Sequence, residues 1–108
     1  MELSEVYTIL NSVTGFTGKV VYRAWEEGQV PEMPFAVYYF RDNGTFYADG
    51  IAYYAAKNIT VDLYTKDKAP ATEALIEAAL KNAGLAFLKS EDYLPEEKCF
   101  CISYELGV

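Results

Sequence analysis

The residue types that perform most protein chemistry are sparse in this chain. Histidine is absent, which removes the commonest general base, the usual catalytic triads and mixed-ligand zinc sites. Cys99 and Cys101 stand two apart in a stretch that reads as a strand, so both thiols point to one face. That geometry disfavours a bond between them and supplies at most half of a four-ligand metal site. The expectation is a pair of reduced, half-buried thiols in an intracellular setting. Carboxylates stand in adjacent pairs at Glu26/Glu27, Glu91/Asp92 and Glu96/Glu97, with Asp42 and Asp49 in a glycine-containing segment. Acid–base or metal-assisted catalysis needs carboxylates held by a pocket at set separations, which adjacency in acidic turns does not provide. Residues 15–19, GFTGK, end in a lysine but lack the spacing, preceding strand and following helix of a phosphate-binding loop. A helix-to-strand turn is the expected role. The chain is therefore expected to be no enzyme, with no cofactor and no metal.

The chemistry-bearing types must be positioned by elements, and these are more legible. The stretch 58–66, NITVDLYTK, places Ile59, Val61, Leu63 and Thr65 on one side and Thr60, Asp62, Tyr64 and Lys66 on the other. This is the period of a strand with one covered and one more exposed face, and it is expected at the centre of the sheet. Ahead of it, residues 35–40, FAVYYF, are aromatic and β-branched enough to form a second strand, delivered by Pro34. After it, residues 67–82 read as a helix. Leu75, Ile76, Ala79, Leu80 and Ala83 form its apolar face, with Asp67 as the expected N-cap, Pro70 in the first turn and Gly84 as the closing glycine.

The remaining elements follow from weaker patterns. Leu3, Val6, Leu10 and Val13 recur at helical spacing, predicting a first helix over 4–13 capped by Ser4 and stopped by Thr14 and Gly15. Residues 19–25 predict a short strand, and the prolines and glycine of 26–34 a loop. Residues 41–50 contain Asn43-Gly44 and Asp49-Gly50, so the chain either turns tightly at 43–44 or makes a longer excursion whose return starts at 51–55. Residues 85–90 and 99–106 predict the last strands, separated by an acidic turn region over 91–98. Together these predict a single α+β domain over residues 1–108: a mostly antiparallel sheet of four to five strands with two helices packed on one side.

Composition limits the partners. Nine basic against sixteen acidic residues give a formal charge of -7, which disfavours nonspecific binding to a phosphate backbone. No direct sequence-specific nucleic-acid binding is expected. No apolar run is long enough to cross a bilayer, and residues 1–5, MELSE, do not make a cationic signal start, so no membrane partner is expected. Ten tyrosines, six phenylalanines and one tryptophan exceed what one small core readily absorbs. Tyrosine can be half-buried in a monomer and finish its burial against a partner. The expected subunit interface comprises Trp25, Tyr38, Phe46, Tyr47, Tyr53 and Tyr64, with Phe46 and Tyr47 presented by the 41–50 loop.

Five segments carry a resemblance to a known group: 22–38 (YRAWEEGQVPEMPFAVY), 46–50 (FYADG), 61–68 (VDLYTKDK), 87–91 (FLKSE) and 101–105 (CISYE). Together they resemble small tail-terminator, tail-completion or head–tail joining proteins of long-tailed bacteriophages and prophages of Gram-positive bacteria. The resemblance rests on a diffuse pattern across most of the chain and not on catalytic residues. It implies a virion structural protein of the tail or neck, present in the host cytoplasm during assembly or as a prophage product. It further implies a homo-oligomer, in such proteins a ring of six, at the head-proximal end of the tail. The tail tube and the head-connector proteins would be its partners. A neck adaptor, or a soluble protein-binding adaptor unrelated to virions, is the alternative expectation.

Overall fold

The structure, a computed structural model, describes residues 3–23, 25, 28–40 and 59–106. In chain order the elements are α1 (Leu3–Asn11), β1 (Val20–Tyr22), β2 (Phe35–Phe40), β3 (Ile59–Thr65), α2 (Pro70–Asn82), β4 (Phe87–Leu94) and β5 (Cys99–Leu106). They form a five-stranded sheet in the order β1-β2-β3-β5-β4. The fold is the expected α+β arrangement: three ladders are antiparallel, and β1 runs parallel to β2.

β3 is central because its two faces are both used. Ile59, Val61 and Leu63 are fully buried on one side, and Thr60 and Asp62 are buried on the other. The alternation in NITVDLYTK is therefore real, but the expected difference in exposure between the faces is small. Val37 of β2 and Ser103 of β5 pair with Asp62 from either side.

Both helices pack on the face carrying Val61 and Leu63. Val6 and Leu10 of α1, with Val13 and Phe16 beyond it, meet Ile76 and Leu80 of α2 over Ala36, Tyr38, Ile102, Tyr104 and Leu106. The spacing Val6–Leu10 and Ile76–Leu80 puts each apolar pair on one stripe of its helix. All four side chains are completely buried. The turn after α1 is held by Asn11, whose side-chain oxygen accepts the Gly18 amide at 2.9 Å while its carbonyl accepts the Thr17 hydroxyl at 3.2 Å. Gly15 and Gly18 take positive φ there, so GFTGK is a turn from helix to strand.

Several boundaries differ from expectation for identifiable reasons. α1 starts at Leu3, so Ser4 lies within its first turn and its carbonyl accepts the Thr8 hydroxyl at 2.9 Å instead of its side chain capping the helix. β1 is three residues long because Arg23 turns to a φ of 70°. α2 starts at Pro70 with Ala69 at the cap and no side-chain cap bond, which leaves Asp67 outside the helix. Its end matches expectation: Gly84, at φ 77°, donates to Lys81 while Leu85 donates to Leu80, the paired bonds of a Schellman close. β4 is longer than expected, extending to Leu94, so Glu91 and Asp92 lie on a strand and the turn is confined to 95–98. The segment 41–58, with Phe46, Tyr47 and Tyr53 and both readings of its turns, lies outside the described residues.

Candidate assembly surface opposite the helices

Alternation along the strands sorts the aromatic side chains by face. Tyr38 points to the helix side, where it is 7% exposed and packs near Tyr7 and edge-on to Tyr22. Burial pushes its phenol above the ordinary range, with Tyr7 and Tyr22 adding to the shift. Tyr38 is thus a core residue of the single chain. Phe35 and Tyr64, paired across the β2–β3 ladder, point to the opposite face.

There they form a row with Trp25. The Trp25 indole meets the Phe35 ring edge-on at 6.0 Å, and Phe35 stacks on Tyr64 at 5.1 Å with 28° between the planes. All three are half-buried. The Trp25 indole nitrogen is shielded from solvent but has no hydrogen-bond acceptor among the described residues. A buried indole N–H usually finds one, so this group is set apart from an ordinary core tryptophan. Of the six residues expected at an interface, the structure brings together Trp25 and Tyr64, puts Tyr38 on the other side of the sheet, and leaves Phe46, Tyr47 and Tyr53 outside the described residues. Phe35, the ring joining the pair, was not singled out in the sequence. The ladder partnership with Tyr64 identifies it, and partnership is not visible in one strand alone.

Beside the row is a polar cluster centred on Asp62. Its two carboxylate oxygens accept the Tyr39 hydroxyl at 3.0 Å and the Ser103 hydroxyl at 2.7 Å. These three residues come from β2, β3 and β5, so one carboxylate ties three strands in register. Cys101 lies next to Ser103, with 3.9 Å between sulfur and oxygen. Its thiol is pushed up to about 11, first by burial and then by the Asp62 charge. Tyr64 is raised for the same leading reason, with Cys101 and Asp62 contributing. Cys99 and Cys101 are both free thiols, and burial together with Glu97 raises Cys99. Raised thiols are poor nucleophiles and poor metal ligands at neutral pH. Among the described residues no group of three or more cysteine, aspartate or glutamate side chains is arranged to hold a metal ion.

A second charged network lies on the helix side. Glu73, 2% exposed, accepts Lys68 and Lys89 at 2.7 Å each. Lys68 also reaches Glu91, and Lys89 reaches Glu77, which accepts the Tyr104 hydroxyl at 3.0 Å. Burial alone would raise the Glu73 carboxyl, but the two lysines outweigh it and hold the group below its ordinary value. Lys68 and Lys89 are raised by their hydrogen bonds to Glu73 first. Every charge in the network has a partner of opposite sign, so its role is to fasten α2 to β4. Glu91 was expected in an acidic turn. It belongs to this fastening because β4 runs past it.

Comparison with known proteins adds no identification: no protein-family model, no curated protein and no solved structure matches the chain. No helix among the described residues is long and apolar enough to cross a membrane.

Proposed function

We propose that this chain is a non-enzymatic structural subunit that acts by assembling. We further propose that its assembly is a ring of the tail-terminator or tail-completion kind, at the head-proximal end of a long phage tail. The observation that supports assembly is the row Trp25–Phe35–Tyr64: three half-buried rings on the sheet face opposite both helices, one carrying a shielded N–H with no acceptor among the described residues. Aromatic surface of this kind is enriched where subunits meet, and a partner both completes its burial and can supply the missing acceptor. The particular assembly rests on the sequence resemblance alone. In this reading the protein works by shape, ending tube growth and offering a surface to the head connector, with the tail tube and connector proteins as partners.

Light scattering across protein concentration, with electron microscopy of the largest species, tests it. A closed ring, formed alone or on added tail tubes, is the expected result. A chain that stays monomeric in both settings overturns the proposal.

A further inference from the structure

A groove of about 460 Å³ adjoins the aromatic row, lined by Val30, Pro31, Glu32, Met33, Phe35 and Lys66. Four of these six residues are apolar, and the other two carry one charge of each sign. Val30 is 56% exposed, which is high for an aliphatic side chain next to a cluster of rings. Lys66 and Glu32 make no ion pair among the described residues.

The chain also carries a feature complementary to this groove. The turn between β4 and β5 is Pro95-Glu96-Glu97-Lys98, and all four residues are exposed. It offers a proline ring for the apolar lining residues, two carboxylates for Lys66 and an ammonium for Glu32. Ladder registers put the two features at the same end of the sheet: Phe35 pairs with Tyr64, Tyr64 with Cys101, and Leu94 with Cys99. They are separated across the sheet, because the groove borders β2 and β3 while the turn joins β4 and β5 at the far edge. None of the turn residues lines the groove within one chain.

We infer that the groove receives the 95–98 turn of a second copy of this chain. The contact joins two different surfaces, so it is head-to-tail, and repetition of such a contact closes a ring when the rotation permits. The inference rests on the assembling role proposed above and names the surface that performs it. Pro95 seats on Val30, Met33 and Phe35, Lys66 meets Glu96 and Glu97, and Glu32 meets Lys98. Opposite charges at such a contact mainly set register and exclude wrong alignments.

Zero-length carbodiimide cross-linking of a mixture of ordinary and 15N-labelled full-length chains tests this directly. The expected product is a mixed-isotope peptide joining Lys66 to Glu96 or Glu97. Charge exchange gives a second readout by light scattering: Lys66→Glu weakens assembly at least tenfold, as does the pair Glu96→Lys with Glu97→Lys, and combining all three restores most of it. Lys81→Glu, the same charge change at an exposed position on α2, leaves assembly unaltered, and circular dichroism verifies that each variant is folded. An assembly that yields no mixed Lys66 cross-link and is indifferent to Lys66→Glu overturns the groove and leaves the assembling role standing. A chain that never assembles overturns both.

Discussion

Ser103 donates its hydroxyl to Asp62 at 2.7 Å, joining β5 to the centre of the sheet through a carboxylate that is 8% exposed. Tyr39 donates to the other oxygen from β2. A one-residue slip of either neighbouring strand would send its hydroxyl to the helix side, away from the Asp62 carboxylate. The bonds therefore select one register of β2–β3–β5, in which β2 and β3 present the aromatic row and border the groove.

Asp62→Ala removes the acceptor shared by both hydroxyls. Hydrogen bonds to a charged group contribute about 1.5–3 kcal/mol each, and part of that is recovered by solvation of the released groups. The expected loss is about 2–4 kcal/mol, read as a lower urea midpoint with the transition slope unchanged. Ser103→Ala alone is expected to cost about half as much, because the Tyr39 bond persists. A loss under 0.5 kcal/mol for Asp62→Ala, an order-of-magnitude limit for a surface site, would show that the cluster does not hold the sheet.

Glu73 fastens α2 to β4 from within the helix-side network. Glu73→Gln keeps the side-chain shape but leaves Lys68 to Glu91 and Lys89 to Glu77. Buried ion pairs are costly to break from one side, but Lys68 and Lys89 are 43% and 37% exposed and water screens them. The expected cost is about 1–2 kcal/mol in urea unfolding, accompanied by faster amide exchange in α2 and β4 than in β3. Uniform acceleration across the sheet would contradict a local fastening.

The titrating groups define a pH window for stability. Glu73 is held below its ordinary 4.5 in the folded chain, so its contribution is present above that value and is lost as pH falls through the folded one. Cys101 rises from 9.0 to about 11, and Tyr64 and Tyr104 rise above 10.0, all chiefly through burial. Their contributions are complete below the ordinary values and are lost as pH rises toward the folded ones. The melting temperature is expected to be flat between about pH 5 and pH 9 and to fall on both sides. Cys101→Ser should soften the alkaline fall. A melting temperature still rising at pH 10 would refute the assignment.

The parts of this fold legible in the sequence are those set by local periodicity. The alternation of 59–65 and 99–106 and the Ile76–Leu80 stripe each specify an element without knowledge of its neighbours. What pairing decides was not legible. The pattern of FLKSEDYL predicts a strand ending at Ser90, because Glu91 and Asp92 are turn-type residues, yet Glu91 is accommodated on β4 by Lys68 from the connection before α2. Asp67 has the residue type of a helix cap, but Pro70 at the first helical position starts α2 later. The candidate surface followed the same division. An excess of aromatic residues was visible in the composition, whereas the separation of Tyr38 from Trp25 and Tyr64 required the strand order and the face each ring occupies.

Trp25 provides the sharpest test of the assembly surface because it is the single tryptophan of the chain. Its indole N–H is shielded and has no acceptor among the described residues, so among them the donor is left unsatisfied. Trp25→Phe removes the N–H and keeps a ring against Phe35. The isolated chain should therefore keep its stability to within about 1 kcal/mol, since the lost contact area is offset by removal of an unpaired donor. If a neighbouring subunit supplies the acceptor, the same change costs about 1 kcal/mol per contact on assembly, or roughly a fivefold weaker association. Tryptophan emission of the wild-type chain should in turn shift with concentration in step with the scattering mass. Unchanged association of Trp25→Phe, together with emission that does not follow assembly, would exclude this face from the interface.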